Sequence, residues 1–186
     1  MLKLLMEIFR TGEATVQYPF APMPVCKDFR GKPEHRAEGC IACAACTVAC
    51  PANAIGMETD TAAGNRIWSI DYGRCVFCGR CEESCPTGAI RLSDDFELAV
   101  GSKADLTRKA VFTLADCACC GKPFAPAKEV DYVARLLSQS ARSAEEADRL
   151  RLTVSTCPAC KRAQDVHHIA GMGIGRQMTK EPETTP

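Results

Sequence analysis

With 186 residues and 23 basic side chains balanced by 23 acidic ones, the chain suits one small domain with an appendage and is too evenly charged to attract a polyanion, so nucleic acid is not expected as a partner. Its compositional outlier is cysteine, with 14 residues. No apolar run approaches the ~20 residues that span a bilayer. The first ten residues are interrupted by Lys3 and Glu7 and lack a small-residue cleavage site, unlike a secretory signal. The cysteines therefore read as metal ligands in a reducing cytoplasm rather than as a disulfide framework.

Leu2, Leu5, Ile8 and Phe9 fall close to helical spacing, which predicts a short helix packed either on its own domain or on a partner. Residues 18–36 are rich in proline, which fixes φ and removes donors, so this stretch is expected to run as an extended arm along a surface. Cys26, alone in that arm, is expected to be passive, and His35 is expected at the surface.

An internal repeat follows. Residues 40–55 and 75–90 match at an offset of 35, including Cys-Pro-Ala-Asn-Ala-Ile against Cys-Pro-Thr-Gly-Ala-Ile. Each copy carries Cys-x-x-Cys-x-x-Cys-x-x-x-Cys-Pro, the bacterial ferredoxin run, in which the fourth cysteine ligates the other cluster. The expected ligands are Cys40, Cys43, Cys46 and Cys85 for cluster one, and Cys75, Cys78, Cys81 and Cys50 for cluster two. Three cysteines spaced by two residues can wrap a loop around one [4Fe–4S] cubane, and a helical turn then carries the fourth away. Ala42, Ala44, Ala45 and Gly79 let the backbone approach closely, so that N–H groups can donate to sulfur. Structural zinc also uses Cys-x-x-Cys pairs, but two complete tandem runs fit it poorly. Residues 54–59 and 66–71 read as strands around a turn, and 90–92 with 97–100 as a second pair.

Beyond Gly101, Val130, Val133, Ala134 and Leu137 mark one face of an amphipathic helix. Ser143-x-x-Glu146 resembles a capping box, and residues 151–155 read as a strand leading into Cys157. Two knuckles, Cys117-x-x-Cys120 and Cys157-x-x-Cys160, supply a tetrahedral four-cysteine site for one mononuclear Fe or Zn, like those of rubredoxin and zinc ribbons. Its expected role is structural. Cys119 is read as a spare thiol, and His167 and His168 as unneeded beside four cysteines. Gly171-Met172-Gly173-Ile174-Gly175 lacks the helix and the acidic residue of a dinucleotide site.

The expected fold class is α+β, a duplicated bacterial 2[4Fe–4S] ferredoxin-like core with two additions. Residues 1–36 form a helix and docking arm, 37–101 the ferredoxin domain, 102–170 a helical extension with the four-cysteine site, and 171–186 a mobile tail.

The arm from Tyr18-Pro19-Phe20 to Phe29-Arg30-Gly31-Lys32-Pro33-Glu34, the run Cys-Ile-Ala-Cys-Ala-Ala-Cys and the segment Cys78-Gly79-Arg80-Cys81-Glu82-Glu83 resemble the two-cluster ferredoxin subunits of complex I and of membrane-bound hydrogenases. With Phe112-x-Leu114, Lys128-Glu129-x-Asp131-Tyr132 and the two knuckles, the chain up to about residue 165 is similar to the iron–sulfur subunits of formate hydrogenlyase, the hydrogenase-4 component H type. The resemblance implies a non-catalytic relay. Electrons from formate oxidation would arrive through another iron–sulfur subunit and leave to the small subunit of a [NiFe] hydrogenase. It also implies a peripheral position on the cytoplasmic face of the inner membrane. A freely diffusing ferredoxin is the alternative that spacing alone leaves open, and a zinc-only scaffold is the remote one.

Overall fold

The computed structural model describes residues 2–12 and 15–172. In chain order the elements are α1 (Leu2–Thr11), β1 (Pro33–His35), α2 (Ala45–Ala49), β2 (Ile55–Asp60), β3 (Asn65–Asp71), α3 (Arg80–Ser84), β4 (Ile90–Leu92), β5 (Thr107–Asp116), β6 (Pro123–Pro126), α4 (Ala127–Ser140), α5 (Ala144–Val154) and α6 (Pro158–Gly171). The expected hairpin forms from β2 and β3, running from Ile55 opposite Ile70 to Asp60 opposite Asn65. Its turn is closed by Asp60, whose Oδ1 accepts from the N–H groups of Ala62 and Ala63 at 2.9 and 3.0 Å. Gly64, at φ +66°, supplies the left-handed residue the turn requires.

The two-residue period of β3 turns Trp68 and Ile70 inward, leaving them 1% and 0% exposed. They pack with Ile55, Tyr72, Ile90 and Phe112 in one core. Tyr72 also brings its hydroxyl into this interior, donating to Pro33 O at 2.8 Å, so its polar tip is satisfied.

The sheet does not stop at the hairpin. β5 pairs antiparallel with β3 over seven residues, from Asn65 opposite Thr113 to Asp71 opposite Thr107, and β6 continues the order to β2-β3-β5-β6. The C-terminal segment thus completes the sheet of the cysteine-rich region and sends Phe112 into its core. Sequence reading missed this strand, because it carries the exposed pair Arg108 and Lys109 near its start and buries only Phe112, between the exposed Val111 and Thr113, so that the open edge of β3 decides its pairing.

Two expected strands are corrected. β4 pairs with β1 rather than with residues 97–100, which form no strand. The arm takes the place of that partner: Gly31 N–H donates to Ser93 O at 2.9 Å and Lys32 N–H to Asp95 O at 2.7 Å, beside a Lys32–Asp95 ion pair. A Cβ at Gly31 would lie 2.4 Å from Ser93 O, so only glycine permits this approach. Residues 151–154 are the end of α5 and not a strand. The local cap overrides the β-prone Leu, Thr and Val: Ser143 Oγ accepts from Glu146 N–H at 3.2 Å, and Glu146 accepts from Arg142 N–H at 2.9 Å.

The arm itself lies on its own core. Tyr18 and Phe29 pack against Phe96, with ring centroids 6.1 and 5.6 Å apart, and the Tyr18 hydroxyl donates to Glu97. His35 is half-buried instead of superficial. It stacks on Trp68 at 3.8 Å between centroids, and burial lowers its pKa. By contrast α1 buries none of its residues, and Leu2, Leu5, Ile8 and Phe9 are all exposed. Apart from Gly171 and Met172, which close α6, the tail lies outside the described residues.

Trp68 is the largest fully buried side chain, so Trp68→Ala is expected to cost about 3–5 kcal/mol. Anaerobic guanidinium unfolding should show the midpoint falling accordingly. An unchanged midpoint would mean that this core does not carry the sheet.

Candidate metal centres

The two cysteine runs adopt the same backbone path twice. Positive φ recurs at matched positions: Ala42 and Phe77 at 57° and 53°, Ala44 and Gly79 at 64° and 81°, Asn53 and Gly88 at 48° and 62°. Each path leads from a left-handed residue into a single helical turn, α2 or α3, which ends at Cys50 or Cys85. The proline after each cysteine needs no donor, so the turn can stop there. The left-handed conformation costs a residue with a Cβ about 1–2 kcal/mol, which accounts for Gly79 and Gly88 and suits Asn53, while Ala42 and Ala44 bear the cost. Phe77 bears that cost with a full side chain.

The return for this strain is backbone N–H groups aimed at sulfur. Ala42 N–H donates to Cys40 Sγ at 3.4 Å. Ala54 N–H donates to Cys50 Sγ, and Ala89 N–H to Cys85 Sγ, both at 3.2 Å. Such bonds favour thiolate over thiol. Cys85 is lowered despite its desolvation, because the Thr87 hydroxyl and several backbone N–H groups outweigh burial. Burial dominates elsewhere: it raises Cys40, Cys46 and Cys75 and pushes Cys81 up to about 11.

The eight cysteines surround two small cavities. One, of about 20 Å³, is lined by Cys40, Cys43, Cys46 and Cys85. The other, also of about 20 Å³, is lined by Cys50, Cys75, Cys78 and Cys81. Each wall therefore takes three sulfurs from one run and the fourth from the other. Four sulfurs around a small space, with N–H groups donating to several of them and no carboxylate in the lining, suit a thiolate-bound cluster.

The knuckles meet at a third point. The sulfurs of Cys117, Cys120, Cys157 and Cys160 lie within 4.8 Å of one another, and Cys120 Sγ is 3.9 Å from Cys157 Sγ. Metal–sulfur bonds of about 2.3 Å in a tetrahedron separate sulfurs by about 3.8 Å, so the group has the right size for one ion. β5 delivers Cys117, and α6 begins at Cys157, whose Sγ accepts from Cys160 N–H at 3.4 Å. Cys157 N–H donates to Cys117 Sγ at 3.1 Å and is the main cause that holds this thiol down to about 6. Cys160 is pushed up instead, first by the Cys119 sulfur and then by Cys157. Cys119 and Cys26 are exposed and stand outside the three groups, as do His167 and His168 on α6.

Two polar side chains hold the first loop and the residues just ahead of it. Arg66 Nη1 donates to Ala42 O at 3.0 Å. Lys128, at the start of α4, donates to Ala37 O and Glu38 O at 2.8 and 3.1 Å and lies 5.7 Å from the Phe112 ring centroid. The sequence carries no signal for the Arg66 contact, and Lys128, although part of the Lys128-Glu129-x-Asp131-Tyr132 likeness, gives none for its partners, which lie 91 and 90 residues away.

The 4Fe–4S dicluster domain family matches residues 39–89, which contain both cysteine runs. A chain of the membrane-bound sulfane sulfur reductase, an archaeal respiratory membrane complex, is 29% identical with a TM-score of 0.42 over 57% of this chain, which spans 58% of that one. Formate hydrogenlyase subunit 6 of Escherichia coli (strain K12) is 49% identical over 162 residues, or 87% of this chain and 89% of that protein. The chain is thus an iron–sulfur protein that belongs to the family of formate hydrogenlyase subunit 6.

Proposed function

We propose that this protein is the electron-relay subunit of a formate hydrogenlyase-type assembly, with two [4Fe–4S] clusters on a duplicated ferredoxin core and one mononuclear Fe or Zn on the C-terminal extension. The observation that carries the reading is the pair of four-cysteine cavities, each closed by the fourth cysteine of the other run. Cys40, Cys43, Cys46 and Cys85 would hold one cluster, and Cys75, Cys78, Cys81 and Cys50 the other. When bound, each cluster supplies a centre that takes up and releases one electron. The chain's own part is to hold the thiolates, donate N–H groups to sulfur and keep water out with Ile55, Ile90 and the loop alanines. Crossed ligation ties the runs together and keeps both centres within one small core.

The partners in this reading are other iron–sulfur subunits on one side and the small subunit of a [NiFe] hydrogenase on the other. The assembly would lie on the cytoplasmic face of the inner membrane. No described helix is long and apolar enough to cross a membrane, so attachment would run through other subunits. The exposed apolar stripe of α1 favours a stationary subunit over a diffusing carrier, which has no use for such a surface.

Anaerobically purified protein should contain about eight cluster irons, four per cubane, and one further Fe or Zn. Iron near zero with several zinc ions would end the electron-transfer reading. Cys85→Ser should impair the cluster of residues 40–46, and Cys50→Ser the cluster of residues 75–81, each leaving the other EPR signal in place. If each substitution instead removed the cluster of its own run, the crossed assignment would be wrong.

The four-cysteine site is closed, with no open coordination position, so its proposed role is structural. Cys157→Ser combined with Cys160→Ser should keep both cubane signals and their reduction by dithionite. Protease resistance between residues 117 and 160 should fall. A variant that assembles with both cubanes yet no longer relays electrons would make the third metal a redox station.

A further inference from the structure

We propose that Arg66 sets the cluster held by the first loop at a higher reduction potential than the other, and that Glu129 of α4 moderates this effect, making the C-terminal segment a tuning element of the relay. The inference rests on the two-cluster reading given above. Reduction adds one electron and no proton to a cluster, so a fixed positive charge nearby stabilises the reduced state. The effect grows as solvent is excluded.

The two loops follow one backbone path but have different surroundings. At the first, the Arg66 guanidinium donates to the carbonyl of Ala42, a residue 1% exposed that lines the cavity. Its Nε donates to Thr59 Oγ1 at 2.9 Å, which fixes the group from a second side. The Arg66 side chain is only 20% exposed. The second loop also has an arginine contact, from Arg30 to Cys78 O at 3.3 Å, and Arg80 borders its cavity. Both residues are exposed, and their charge is screened by water and salt. The remaining wall of the second cavity is apolar, with Pro33, Ile55, Val76 and Phe77. The wall of the first includes His35, whose buried Nε2 has no hydrogen-bond partner among the described residues.

Glu129 lies 3.7 Å from Arg66, with 31% of its side chain exposed. Its negative charge opposes the guanidinium at the same point. It sits beside Lys128, which clamps Ala37 and Glu38 just ahead of Cys40. One turn of α4 therefore places both a clamp and a counter-charge on the first loop, and the second loop receives neither.

The test is an anaerobic redox titration of the holoprotein, with each EPR signal assigned through the Cys85→Ser and Cys50→Ser variants. In the unmodified protein, electrons should collect first on the cluster of residues 40–46. Arg66→Gln should lower the midpoint of that signal and leave the other in place. The distribution of electrons between the clusters should change by about tenfold, the size typical of one partly buried charge. Arg66→Lys, which keeps the charge, should retain most of the effect, and Glu129→Gln should move the same signal upward. Equal shifts in both clusters, or no shift in either, would overturn the inference. So would an Arg66→Lys shift as large as that of Arg66→Gln, since orientation and not charge would then be at work. Should Arg66→Gln fail to load iron, Glu129→Gln decides alone, and an unmoved midpoint there refutes the proposal. Absence of the two [4Fe–4S] signals from the unmodified protein would instead defeat the functional reading itself.

Discussion

Thiolates carry negative charge, and this fold gathers eight half-buried or buried cysteines around two small, largely apolar cavities. Backbone N–H groups answer that charge. Ala42 N–H, at a left-handed residue, reaches Cys40, and Ala54 and Ala89 N–H, each directly after a left-handed residue, reach Cys50 and Cys85. This geometry explains Gly79 and Gly88 and the single-turn helices that follow the loops. It also explains why the loops cannot contribute many side chains to a core. Trp68, Ile70, Ile90 and Phe112 supply that core from strands instead.

That division has a consequence for the C-terminal segment. A two-stranded hairpin is marginally stable in water, and here its β3 edge is covered by β5. The same strand sends Phe112 into the core and ends at Cys117. One strand therefore supports the cysteine cavities at one end and delivers a cysteine of the four-sulfur group at the other. α4 returns to the first loop through Lys128 and Glu129. The two cysteine regions are mechanically joined, even though their cysteine groups share no residue.

The sequence made the chemistry more legible than the topology. Cysteine spacing is a local code, because the reach of three thiolates is set by the residues between them. The duplicated runs, both knuckles, the β2–β3 hairpin and the Ser143 cap could all be read from nearby residues. Strand pairing is not local. Residues 97–100 looked like the neighbour of β4, yet the arm occupied that edge, helped by Gly31 and Lys32. His35 looked superficial because nothing nearby announced Trp68, its stacking partner 33 residues on. The contacts of Arg66 and Lys128 were hidden for the same reason.

The arm and α1 illustrate how one composition can have two destinies. Both are rich in apolar side chains. The arm finds its partners at home: Tyr18 and Phe29 meet Phe96, and the backbone of Gly31 and Lys32 joins the segment at Ser93–Asp95 through hydrogen bonds. Its rigidity comes from proline, so relatively little entropy is lost in laying it down. Among the described residues α1 has no such partner, and Leu2, Leu5, Ile8 and Phe9 stay exposed. A ten-residue helix is marginal by itself, and exposed leucine and phenylalanine add nothing to its stability until they are covered. Helix order in α1 and burial of its stripe are therefore coupled, whereas the arm's order is already secured by its own core.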